Sequence, residues 1–184
     1  MNHKGTVTLE TERLILRKFT KDDAEAVFRN WASDDAVTKY LTWPTHKSVE
    51  NSAGYIDFCL GTYEADNSYQ WGIVLKETGE LFGNISAVKV EEEIDAVELG
   101  YVSGRRFWGH GYMPEAVKAV IAFFFEEVGA NRIYAEHDIN NPNSGKVMRK
   151  AGMKYEGTLR QAGRNNQGIV DCAINSIIRS EYQP

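Results

Sequence analysis

The stretch Arg106-Phe107-Trp108-Gly109-His110-Gly111 follows a strand-like apolar run, Val97 to Val102, and opens onto a run of helical spacing, Met113 to Glu127. Its form is R-x-x-G-x-G, a glycine-rich turn between a strand and a helix N-terminus. Glycines there let the backbone adopt positive φ and come close to a ligand. The first amides of the helix lack carbonyl partners, and its dipole adds positive potential. The turn therefore predicts a diphosphate site. It is not a P-loop, because the Lys-Ser/Thr ending is missing, and no earlier glycine gives it dinucleotide-fingerprint spacing. On this segment alone, an ordinary turn with capping glycines explains the pattern as well.

The surrounding pattern places that turn in a mixed α/β fold. Leu14 to Phe19 reads as a strand, and Thr20 with Asp23 caps a helix over Asp22 to Ala32. Asp34 to Trp43 is a loop or short helical turn, and Ser48 to Tyr63 has a helical period. Tyr69 to Leu75 and Leu81 to Val90 flank a Lys76–Glu80 turn and form a hairpin. Ala96 to Val102 is the next strand, followed by the glycine turn and its helix, which ends near Gly129. Arg132 to Asp138 is a strand, Ser144 to Lys150 a short helix stopped by Gly152, and Lys154 to Arg160 and Ile169 to Arg179 are the last strands. The order β-α-α-β-β-β-α-β-α-β-β implies a mixed sheet with helices packed on it.

A chain of 184 residues without repeats or linkers fits one domain spanning residues 1–184. The net charge of −5 comes with no basic block, which argues against direct nucleic-acid binding. No apolar run approaches the roughly 20 residues of a membrane span. Met1 to Gly5 shows no secretory apolar region. Cys59 and Cys172 lie in apolar contexts without metal-ligand spacing, so buried thiols, a reducing compartment and a cytoplasmic location are expected, with no metal.

Asn141-Pro142-Asn143-Ser144-Gly145-Lys146-Val147-Met148-Arg149-Lys150-Ala151-Gly152-Met153 has the form N-x-x-S-x-x-V-x-x-K-x-G-[FM]. It resembles the closing motif of the GNAT acyltransferase superfamily, and the R-x-x-G-x-G turn is similar to that superfamily's acyl-coenzyme A loop. The opening Thr11-Glu12-Arg13-Leu14-Ile15-Leu16-Arg17, the variant Trp108-Gly109-His110-Gly111-Tyr112-Met113 and the ending Gly152 to Gly157 resemble its ribosomal-protein N-terminal acetyltransferase-like, or Rim-type, branch. The likeness runs from about Thr11 to Tyr182. It implies a mostly antiparallel sheet with helices on both faces, in which the parallel strands bearing Glu98–Val102 and Arg132–Asp138 splay apart at one end. Acetyl-coenzyme A is then the implied co-substrate. Its pantetheine arm would pair with Gly100, Tyr101 and Val102, and its diphosphate would meet the amides from Arg106, Phe107, Trp108, Gly109 and His110 to Gly111, beside Tyr112. Asn141 would hydrogen-bond the pantetheine amide, against an alternative turn-forming role. A homo-oligomer is a family-level expectation.

Transfer to an amine requires loss of a proton, because α-amines and lysines have pKa values of about 8 and 10.4. Glu98, alone in the apolar strand Val97 to Tyr101, is the candidate base, acting directly or through water. The alternative is a salt-bridged or edge-exposed glutamate. His137 is a minor alternative base. Ser144 is the candidate acid or sulfur ligand, with helix N-capping as the competing role. The family's usual tyrosine acid falls at Met148, a departure that leaves Ser144 or an unassisted thiolate. Trp31, Tyr40 and Trp71 are candidate substrate-wall residues, although core packing explains any one of them. The implied activity is N-acetyl transfer by direct attack in a ternary complex, most simply to a protein's N-terminal α-amine. A small amine such as a polyamine or antibiotic is the alternative acceptor, and a silent acyl-coenzyme A-binding protein is the non-catalytic alternative.

Overall fold

A computed structural model describes residues 1–183. Its strands are β1 (Leu9–Glu10), β2 (Leu14–Arg17), β3 (Gln70–Leu75), β4 (Glu80–Glu91), β5 (Ala96–Ser103), β6 (Arg132–Asp138), β7 (Lys154–Asn165) and β8 (Gly168–Ile178). They form one sheet in the order β1-β2-β3-β4-β5-β6-β8-β7. Every pairing is antiparallel except β5 with β6. This is the mixed, mostly antiparallel GNAT-like sheet that the sequence implied.

The helices are α1 (Ala24–Val27), α2 (Asp35–Thr38), α3 (Val49–Thr62), α4 (Tyr112–Phe123) and α5 (Pro142–Lys150). Helix α1 widens into a π-helical turn at Phe28–Ala32, and α4 does the same at Phe124–Val128 before Gly129, at φ 86°, ends it. Two cores result. Leu14, Trp71, Phe82, Val97, Ile133 and the apolar stripe of α4 fill one. Phe19, Val27, Trp31, Ile56 and Leu81 fill the other, under α1 and α3. Each face of the sheet is thus covered, and the strands alternate accordingly.

Several boundaries differ from those expected. The first strand ends at Arg17 rather than Phe19, because the Phe19 amide donates to the Tyr63 hydroxyl at 2.8 Å and leaves the ladder. A short β1 precedes it. Strand β7 runs on to Asn165, since a bulge near Gln161, at φ 52°, lets pairing resume from Gly163 opposite Val170. Helix α5 begins at Pro142, not Ser144. Proline at the first helical position needs no amide partner, so the turn starts there and Asn141 takes the cap position. The N-capping role for Ser144 is therefore withdrawn.

Candidate active site

The parallel register of β5 and β6 holds for Ala96–Arg132, Val97–Ile133 and Glu98–Tyr134, and then stops. Beyond it, β5 continues against β4, with Gly100 opposite Ser86, Tyr101 opposite Ile85 and Val102 opposite Asn84. Strand β6 continues against β8, with Ala135 opposite Asn175 and Asp138 opposite Cys172. The facing edges of Leu99–Val102 and Ala135–Asp138 are thus unpaired, which makes a fork in the sheet with Glu98 at its crotch. Unpaired backbone at such an edge can receive an extended ligand as an added strand.

A cleft of about 570 Å³ occupies this fork, lined among others by Glu98, Gly100, Tyr101, Val102, Asn141 and Ser144. Strand alternation splits these groups between two faces. Tyr101 points toward α5, where its hydroxyl lies 3.0 Å from both the Ser144 carbonyl oxygen and the Ser144 hydroxyl. Burial raises the Tyr101 pKa, so the phenol stays protonated. The Asn141 side chain forms no hydrogen bond among the described residues and is half-buried against the cleft. Met148 is 1% exposed and belongs to the core, so no acid can act from that position.

Glu98 faces the other side, toward α1 and α3. Burial is the main cause of its raised pKa, and the carboxylate of Glu136 across the fork adds to it. The Tyr134 hydroxyl opposes the rise, but its oxygen lies 2.8 Å from Glu91 and 3.3 Å from Glu98, so its single proton favours Glu91. Glu98 is neither salt-bridged nor an exposed edge residue, which removes the bland alternative for it. His137 turns toward α5 instead. Its Nδ1 lies 2.9 Å from the Asp138 carbonyl oxygen, and a Cβ on Gly145 would come within 2.5 Å of its Nε2.

The glycine turn continues from the end of β5. Gly109 and Gly111 have φ of 83° and 80°, the left-handed region where L side chains are strained. Among the described residues, the amides of Gly109, His110 and Gly111 have no protein acceptor. Trp108 is exposed, and its indole donates to the Ser103 carbonyl at 2.8 Å. Two expected cofactor residues are otherwise engaged. The Phe107 ring is buried and stacks on Phe82 at 4.6 Å, and the amides of Phe107 and Trp108 are already spent on the carbonyls of Gly104 at 2.9 Å and Arg105 at 3.1 Å. The Arg106 guanidinium pairs with Glu80.

The turn is braced from a distance. Glu115, in the first turn of α4, accepts from the Thr11 hydroxyl at 2.5 Å, the Arg13 amide at 3.0 Å and Arg13 Nε at 2.7 Å. Arg13 then donates to the His110 carbonyl at 3.0 Å, and its guanidinium lies 4.6 Å from the Tyr112 ring centre. His110 and Tyr112 stack at 5.5 Å. The opening Thr-x-Arg motif is therefore a clamp on the anion turn, a role that its sequence position did not disclose.

Of the three expected substrate-wall residues, Tyr40 lines the cleft and is half-buried. Trp31 lines it as a floor residue, 1% exposed. Trp71 is a correction. It is wholly buried away from the cleft, stacked with Tyr69 and edge-on to Phe123 and Phe124, with its indole N–H satisfied by the Val7 carbonyl at 2.6 Å. The walls also hold Trp43, from the same loop as Tyr40, and Tyr55, Phe58 and Ser86, which the sequence did not single out. The tip of the β7–β8 hairpin fastens the loop carrying Tyr40 and Trp43. Asn166 Nδ2 donates to the carbonyls of Thr38 and Trp43, both at 2.8 Å.

Residues 13–154 match the acetyltransferase (GNAT) domain family. The chain belongs to the GNAT acetyltransferases. The N-acetyltransferase YoaA of Bacillus subtilis is 32% identical over 171 residues, covering 93% of this chain and 96% of that one. The Escherichia coli ribosomal-protein-serine acetyltransferase is 24% identical, over 67% of this acetyltransferase and 75% of its own length. The crystal structure of a GNAT-family acetyltransferase from Bacillus anthracis superimposes with a TM-score of 0.83 at 27% identity, covering 95% and 99% of the two chains. A ribosomal L7/L12 α-N-protein acetyltransferase solved with coenzyme A gives 0.84 at 19% identity over 96% and 100%. The acetyltransferase is an acetyl-coenzyme A-dependent enzyme. Its open strand edge, free amides and left-handed glycines fit that co-substrate, and the described residues hold no cluster of metal-ligating side chains. None of its helices in the described residues is long and apolar enough to cross a membrane.

Proposed function

We propose that this enzyme acetylates the α-amine at a protein N-terminus, by direct transfer within a ternary complex. The position of Glu98 at the crotch of the fork carries the proposal. It puts a desolvated carboxylate on one face of the sheet and the Tyr101–Ser144 hydroxyl pair on the other, with the unpaired β5 edge between them. The pantetheine arm would run along Gly100, Tyr101 and Val102, with Asn141 holding it from the α5 side. The diphosphate would sit on the amides of Gly109 to Gly111. Glu98 takes one proton from the incoming ammonium; the neutral amine adds to the thioester carbonyl, the C–S bond breaks as the carbonyl reforms, and the second proton lost from nitrogen balances the one that leaves with coenzyme A as its thiol. Ser144, oriented by Tyr101, faces the departing sulfur. The ribosomal-protein acetyltransferases among its relatives support the choice of acceptor.

The test is acetyl-coenzyme A with a panel of N-terminal peptides, polyamines and aminoglycosides, with products identified by mass. Peptide α-acetylation is expected, with Glu98→Gln slowing turnover by about 10²–10⁴-fold. Acetylation confined to small amines would reassign the acceptor. Full activity of Glu98→Gln would remove the base.

A further inference from the structure

We infer that Ser86, Glu98 and Glu136 form a cradle at the fork for a protonated primary amine, and that the cradle rejects acceptors bearing a carboxylate or phosphate beside the nitrogen. The inference rests on taking this face of the cleft as its acceptor half, and it narrows the substrate class.

The placement follows from register. Ser86 stands opposite Gly100 on β4, and a Cβ added to Gly100 would lie 3.9 Å from Ser86 Oγ and 2.7 Å from Val88 Cγ1. Ser86 and Gly100 therefore share a face, on which the Val88 side chain closes over Gly100. Glu98 lies two residues before Gly100 on that face, and Glu136 lies two residues beyond Tyr134, the last partner of Glu98 on β6. All four residues line the cleft. A primary ammonium has three N–H donors, and this face offers two carboxylates and a hydroxyl on three neighbouring strands.

Two independent observations mark these groups as unspent. Ser86 is only 7% exposed, yet its hydroxyl has no hydrogen bond among the described residues. That hydroxyl is free to accept from a donor placed in the cleft. Glu136, exposed at the cleft rim, has no ion pair or hydrogen bond among the described residues, whereas the third carboxylate of the cleft, Asp138, is saturated by Asn140 and Asn165. The lining contains no lysine or arginine. The nearest cation, Lys89, is committed to Glu91 at 2.8 Å. Two unpaired carboxylates, one half-buried and one at the rim, attract a cation and repel an anion placed beside it. A peptide N-terminus, whose own carboxyl is locked in an amide, satisfies this field; a free amino acid does not.

Phenylalaninamide and phenylalanine differ only in that carboxylate, and their ring suits the Tyr40, Trp43 and Phe58 walls. Each is titrated calorimetrically into the coenzyme A-loaded protein and assayed with acetyl-coenzyme A. Wild type is expected to favour the amide by about tenfold or more. Glu136→Gln should shrink that preference to about threefold, raise KM for the amide by about fivefold and leave kcat within about twofold. It should also move the acidic limb of kcat/KM to lower pH, because a like charge facing Glu98 is gone. The other groups facing Glu98, namely Lys89 and Glu91 on β4, Tyr134 on β6 and Cys172 on β8, are unchanged, as is His46 elsewhere in the cleft lining. Ser86→Ala should raise KM without moving the limb. Equal binding of the two probes by wild type, or no binding of either, overturns the cradle, as does Glu136→Gln with an unaltered preference and limb. Preferential binding of the amide without acetylation of any amine would uphold the cradle and sink the transferase reading instead.

Discussion

Glu115→Gln tests whether the opening Thr11-x-Arg13 segment exists to hold the anion turn. The carboxylate receives the Thr11 hydroxyl, the Arg13 amide, Arg13 Nε and, at 2.6 Å, Arg13 Nη2. Each charge-assisted bond exceeds its neutral counterpart by about 1 kcal/mol, and a glutamine can present only one oxygen to these donors. Four such bonds give about 4 kcal/mol at most. The Arg13 side chain is 41% exposed, so solvent screening reduces the ion-pair part, leaving about 1–3 kcal/mol. At about 2–4 °C per kcal/mol for a chain of this size, melting should fall by about 2–12 °C. Arg13 also loses its anchor for the His110 carbonyl, so acetyl-coenzyme A affinity should weaken by about tenfold, or 1.4 kcal/mol.

The pH dependence of the deficit is a second readout. Burial alone would raise the Glu115 pKa, but the Thr11 and Arg13 donors outweigh it and hold the carboxyl below its ordinary 4.5. A depressed carboxyl contributes stability above its unfolded pKa and loses it as pH falls through the folded one. The gap between wild type and Glu115→Gln should therefore be widest above about pH 5 and close progressively in acid. Thermal melts across pH, paired with calorimetric cofactor titrations, measure both effects. A variant that melts with wild type and binds acetyl-coenzyme A equally well would refute the clamp.

Ser144→Ala and Tyr101→Phe should each slow turnover by about tenfold. The double variant should fall little further if the hydroxyls act as a pair, as steady-state rates in a double-mutant cycle would show. Because Asn141 holds the cap position, Ser144→Ala should cost well under 1 kcal/mol in a melt, and a larger loss would restore its structural role. Trp71→Ala should cost about 3–5 kcal/mol in denaturant unfolding with acceptor KM barely moved, while Tyr40→Ala should raise KM at nearly unchanged stability.

The fold was legible because its signals are periodic and local. Alternation fixed β3 to β6 within a residue or two, and the glycine turn fixed the start of α4. The failures share a different cause. Trp71 and Trp31 are indistinguishable in sequence as aromatic side chains near polar neighbours. Only the pairing of β3 with β4 and the packing of α4 decide that Trp71 is sealed against Phe123 and Phe124. Ser144 looked like a cap because serine caps helices, but Pro142 starts the turn two residues earlier.

The acceptor face was illegible for the same reason. Ser86, Glu98 and Glu136 come from three strands with 11 and 37 residues between successive members, and no linear motif spans them. What assembles them is the point where the β5–β6 ladder ends. Had that register continued by two more residues, Gly100 would be paired with β6, the fork would close, and the carboxylates would face each other across an intact sheet without room for an amine. The break after Glu98 and Tyr134 thus leaves room for a cleft where an unbroken ladder would leave none.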